Sequence, residues 1–119
     1  MICDAFQVAI VPFPFVDKPA IKRRPALALS DRVFNAGNGH TLFAMITTGL
    51  IDTWPDDHAL IAPEEAGLVQ NCYVRWKIFT LPNTLILRTL GTAGTADQAA
   101  LTARLTKILP ASIGTPTNQ

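Results

Sequence analysis

A mainly β fold, a small closed or half-open barrel with one helix at its carboxyl end, is predicted by three observations on this chain. Short runs rich in β-branched and aromatic residues recur between residues 6 and 90, and turn signals separate them. Only the stretch after residue 95 has helical spacing. Strands followed by one terminal helix do not make a doubly wound sheet. The chain has 119 residues, 49% of them apolar, which is enough for one modest core and implies one domain over residues 1–119.

Residues 6–11 carry almost no charge and read as the first strand. Pro12 and Pro14 remove backbone donors, so that strand must end there in an edge, a bulge or a loop exit. Residues 25–30 form the second strand. Ser30 is then expected to cap a helical turn over residues 31–35, which the Asn/Gly run at 35–39 stops. Residues 40–48 suit a buried strand. Gly49 opens a loop, residues 54–57 are a turn, and 58–62 a short strand. Residues 63–67 read as one helical turn with Pro63 at its start and Gly67 at its end. Two further strands, 72–81 and 84–90, are expected to form a hairpin about Pro82-Asn83. Thr95-Ala96-Asp97-Gln98 matches a capping box, and Leu101, Leu105, Ile108 and Leu109 follow at helical spacing. Residues 96–109 therefore form an amphipathic helix whose leucine stripe packs on the barrel or on a partner. Residues 111–119 read as a flexible tail.

A formal net charge of +1 argues against a protein that coats nucleic acid non-specifically. Charge is nonetheless segregated. Lys18, Lys22, Arg23, Arg24 and Arg32 outnumber Asp17 and Asp31, whereas Asp52, Asp56, Asp57, Glu64 and Glu65 have no Lys or Arg between them. The basic stretch is either a phosphate-binding surface or a solvated loop, and the acidic one would repel phosphate. Cys3 and Cys72 lie far apart with no ligand spacing, so neither a metal site nor a disulfide framework is indicated. No apolar run reaches the ~20 residues of a membrane span, and no export signal is visible. A cytoplasmic protein with reduced thiols is expected.

Four segments in order carry a resemblance: Val-Pro-Phe-Pro-Phe at 11–15, Arg-Arg-Pro-Ala-Leu-Ala-Leu-Ser at 23–30, Ala-Met-Ile-Thr-Thr at 44–48, and the strand pair at 74–81 and 85–91. Together they resemble the PemK/MazF family of toxins from type II toxin–antitoxin systems. The resemblance implies an SH3-like, CcdB/MazF-like barrel with a carboxyl-terminal helix. It further implies a homodimeric endoribonuclease, an mRNA interferase, that cleaves single-stranded RNA without metal or other cofactor and is silenced by a cognate antitoxin. On the family pattern Arg24 and Thr47 are the catalytic residues, and Lys18, Lys22, Arg23, Thr48, Arg75 and Lys77 would contact RNA. Arg24 would stabilise charge at phosphorus, where losing such a donor commonly costs about 2.7–4 kcal/mol of barrier. Thr47 would hydrogen-bond a phosphate oxygen or the ribose 2′-hydroxyl, but its hydroxyl is no general base.

Each residue also has a plainer reading. Arg24 could pair with an acid such as Asp17, Thr47 could be strand scaffold, and Arg75 could cover the sheet edge. His40 and His58 read as surface histidines, and Trp54 and Trp76 either stack on bases or are buried. The chain departs from the family pattern in three places. Phe6-Gln7 replaces a Gly-Asp pair, Lys77 stands where some relatives carry an aspartate proposed as acid or base, and the loop at 17–23 lacks a Gly-rich, Glu-containing sequence. The general base therefore stays unassigned, and cleavage preference does not transfer. A CcdB-like topoisomerase poison and a catalytically inactive RNA- or protein-binding barrel are the competing readings.

Overall fold

The computed structural model describes residues 1–13, 22–49 and 52–110. Lys18, Asp17 and the 111–119 tail lie outside them. Among the described residues six strands form one antiparallel sheet: β1 (Gln7–Pro12), β2 (Arg23–Ala28), β3 (His40–Thr47), β4 (His58–Ala59), β5 (Tyr73–Pro82) and β6 (Arg88–Thr92). Their order is β4-β5-β3-β2-β1-β6. Helix α1 (Arg32–Asn38) follows β2, and α2 (Thr95–Ile108) follows β6.

The sheet is apolar on both faces because it curls. Ala9, Val11, Ala26, Ala28, Phe43 and Phe79 form one core on one side, while Val8, Leu27, Ala44, Ile46 and Val74 form a second with Leu101 of α2. Neighbouring residues of a strand fall in opposite clusters, as the two-residue strand period requires. The curl brings the turn after β4 to the opposite edge: Thr92 N–H of β6 donates to Glu65 O at 3.3 Å. A Cβ on Gly91 would lie 2.6 Å from that same oxygen, so the seam closes only because residue 91 has no side chain.

Four expectations are corrected. First, β5 and β6 do not form a hairpin. Asn83 starts a 3-10 turn (Asn83–Leu85), and the chain crosses to pair β6 with β1, Gln7 opposite Thr92. Asn83 is a buried hub: its Oδ1 accepts from Thr41 Oγ1 at 2.7 Å and its Nδ2 donates to Asn35 O at 2.7 Å. These partners are distant in sequence, so the local turn signal at Pro82-Asn83 was misleading.

Second, Asp31 caps α1, its carboxylate accepting from Phe34 N at 2.9 Å, whereas Ser30 Oγ accepts from Leu42 N. Third, α2 is capped at Gly94 without a side-chain bond, and Gln98 Nε2 donates to Ala93 O. Only Leu101 of the leucine stripe is fully buried, and Leu109 is 48% exposed. Fourth, β4 stops after two residues. Ile61 N and Ala62 N donate to the Asp97 carboxylate at 2.8 and 3.0 Å instead of to a strand. Phe6 has a left-handed φ of 67°, and its partly buried side chain packs on the second core.

Candidate active site

β2 and β3 pair antiparallel with Ala26 opposite Met45, and continuing that register sets Arg24 opposite Thr47. Two hollows of about 430 Å³ each flank this pair. One is lined by Lys22, Arg23, Pro25, Ile46, Leu68, Val69, Gln70 and Cys72, the other by Phe13, Met45, Asp52 and Arg75. Arg24, Thr47 and Thr48 line both and form the ridge between them.

Arg24 Nε is buried and has no hydrogen-bond partner among the described residues. Its guanidinium lies 5.7 Å from the Phe13 ring centroid, and among the described residues it forms no ion pair. A buried, unpartnered donor is costly. Thr47 Oγ1 accepts from Gly49 N at 3.2 Å, which leaves the hydroxyl hydrogen to donate. Gly49 has a φ of 69°, and a Cβ there would meet the Tyr73 ring at 2.8 Å, so the turn that holds Thr47 requires glycine.

Of the residues predicted to contact RNA, Lys22, Arg23 and Thr48 reach the cleft with Arg24 and Thr47, and Arg75 reaches it from the far side. Lys77 does not. It sits with Trp76 in a bulge of β5, where Ala44 faces Ile78 and the next residue, Met45, faces Arg75. Lys18 lies outside the described residues.

Arg75 is not an open cation. Its side chain is only 6% exposed and is clamped from inside the protein. Nε and Nη2 bond Asp57 Oδ1 and Oδ2 at 3.1 and 2.8 Å, while Nη1 bonds Asp52 Oδ1 at 3.0 Å and Nη2 bonds Asp52 O at 3.1 Å. Trp54 stacks on it, 5.1 Å from guanidinium carbon to ring centroid. The Asp57 pair holds the Arg75 guanidinium well above its ordinary range. The Arg75 hydrogen bond holds Asp57 below the usual carboxylate range. The sequence reading missed this clamp: of the acidic stretch, Asp52 and Asp57 pair with Arg75, and Asp56 pairs with Arg104. A run of acids without a local counter-ion was its only sequence signal.

His58 also departs from the surface reading, since its Nε2 lies 2.7 Å from the buried Asp97 Oδ1. Burial would push Asp97 up, but the Ile61 N–H, His58 and the Ala62 N–H together bring it below the ordinary range. Cys3 and Cys72 are free and buried, and burial pushes both thiols up. Among the described residues no group of three His, Cys, Asp or Glu is placed to hold a metal ion. No described helix is long and apolar enough to cross a membrane.

A curled antiparallel half-barrel with a carboxyl-terminal helix defines a small barrel of the MazF-like fold. The family model for the PemK-like, MazF-like toxin of type II toxin-antitoxin systems matches residues 4–109, and the chain belongs to that family. Solved structures agree on the fold. MazF from Deinococcus radiodurans is 21% identical with a TM-score of 0.71, covering 92% of this chain and 98% of that one. The MazE-MazF complex from the same organism is 20% identical with a TM-score of 0.72, over the same shares. A mycobacterial endoribonuclease in complex with its cognate antitoxin is 18% identical with a TM-score of 0.69, covering 91% and 93%. No curated protein matches the chain.

Proposed function

We propose that this toxin is a metal-independent endoribonuclease that cleaves single-stranded mRNA at short sequences, with Arg24 and Thr47 at the scissile phosphate. The single observation that carries this reading is that Arg24, whose buried Nε has no partner among the described residues, lines one cleft with Thr47, Lys22 and Arg23. The ribose 2′-oxygen attacks the adjacent phosphorus, the bond to the 5′-oxygen breaks, and a cyclic phosphate and a 5′-hydroxyl result. Arg24 meets the charge that develops on the phosphoryl oxygens, and Thr47 donates to one of them. Lys22, Arg23 and Thr48 hold the flanking backbone. The toxin acts in the cytoplasm as a homodimer, and an acidic antitoxin segment silences it by covering the basic cleft.

The purified chain, with EDTA present, is incubated with defined single-stranded RNAs beside Arg24→Ala. Wild type leaves cyclic-phosphate ends, and Arg24→Ala is at least about 100-fold slower with an unchanged unfolding midpoint. Intact RNA across several sequences, or cleavage by Arg24→Ala at the wild-type rate, refutes the reading. A gyrase pull-down with inert RNA would favour the topoisomerase poison, and binding without cleavage an inactive barrel.

A further inference from the structure

In-line attack needs a group to take the 2′-hydroxyl proton, and neither Arg24 nor Thr47 can be that group. Among the described residues, Asp52 is the one carboxylate lining the two hollows, and no histidine lines either. Cys72 lines the first, but its thiol is held protonated by burial. Asp52 shares its hollow with Arg24, Thr47 and Thr48 and keeps 65% of its side chain exposed. Only its Oδ1 is engaged among the described residues, by Arg75 Nη1.

Asp57 is almost fully buried, 3% exposed, and grips Arg75 through a two-point fork, while Trp54 stacks on the guanidinium. Arg75 cannot turn toward RNA without abandoning a buried carboxylate, which is strongly unfavourable. Its accessible bond is the one to Asp52. A carboxylate in the hollow and a fixed guanidinium bonded to it are thus set together, the arrangement a base and its orienting group need.

We infer that Asp52 is the general base of the cleavage step and that Arg75, fixed by Asp57, is its positioning residue. This rests on the ribonuclease reading. The O2′–H proton passes to the Asp52 carboxylate as the O2′–P bond forms and the P–O5′ bond breaks. The departing 5′-oxygen takes a proton from water, and Asp52 returns its proton to solvent.

Single-turnover cleavage is compared for wild type, Asp52→Asn, Asp52→Glu and Asp56→Asn, with binding of a 2′-O-methyl RNA of the same sequence as the uncleavable probe. Asp56 is a fair control, because it is a similarly exposed carboxylate on the same loop that pairs with Arg104. The expected result is a loss of roughly 100-fold or more in the cleavage rate of Asp52→Asn. Its probe affinity stays unchanged or rises, Asp52→Glu recovers part of the rate, and Asp56→Asn stays within about twofold of wild type. Asp52→Asn cleaving at the wild-type rate overturns the assignment. So does tighter binding with faster cleavage, which would make Asp52 a competitor of phosphate for Arg75. Inert wild type on every RNA refutes the ribonuclease reading itself.

Discussion

Arg24 and Arg75 lie across one hollow with opposite surroundings: the first has a buried donor without a partner, the second bonds two aspartates. That contrast sets what each substitution should do. Arg24→Ala should remove the donor proposed for catalysis and leave the protein stable. Asp57→Asn leaves the Arg75 charge buried with its main partner neutralised, which should lower unfolding free energy by about 3 kcal/mol in urea titration. An Asp57→Asn protein as stable as wild type would mean that the clamp is not formed in solution. The sequence pointed to Arg24 and Thr47 because their motifs are local. It could not reveal the Asp57–Arg75 fork, since side-chain pairing across 18 positions leaves no periodic trace.

The strand and helix elements were largely legible because burial writes a two-residue or 3.6-residue period into the chain. Failures fell where hydrogen bonds to distant residues overrode local signals: the Asn83 hub in place of a hairpin, and the Asp97 carboxylate that ends β4. Helix α2 is anchored through its first two turns by Asp97 and Leu101, both fully buried, whereas Leu105 is only half-buried. Leu101→Ala should therefore cost about 2–5 kcal/mol and Leu105→Ala much less. Chemical denaturation of the two variants checks this, and equal losses would mean that the whole stripe packs. Asp97→Ala strips acceptors from Ile61 N and Ala62 N and should cost about 2 kcal/mol. Hydrogen exchange should then quicken in α2 and residues 58–62 together.

For the molecule as a whole, acid sensitivity follows from the same two carboxylates. Asp57 and Asp97 both titrate lower in the folded protein than in the unfolded chain. The unfolded chain therefore binds more protons across that interval, and the stabilisation is complete above the ordinary carboxylate range and lost as pH falls through the folded values. Urea midpoints should be level from neutral to mildly acidic pH and drop below about pH 4, with a shallower drop in Asp97→Asn. The barrel seam makes another whole-fold test. Gly67 and Gly39 both have positive φ, but a Cβ on Gly67 would lie 2.4 Å from Leu90 O while one on Gly39 meets nothing within 4 Å. Gly39→Ala should cost about 1 kcal/mol and Gly67→Ala clearly more, read as unfolding midpoints.

The crossover from β5 to β6 also dictates an order of events during synthesis. β1 is made before every other strand of the sheet, yet one of its two neighbours, β6, is made after all of them. Until residues 88–92 leave the ribosome, one edge of β1 is open, and such distant pairing folds slowly. Arg24 and Thr47 are translated long before the sheet beneath them is complete. A growing chain therefore holds both residues proposed for cleavage before the barrel that positions them is finished, and their activity awaits the pairing of β6 with β1.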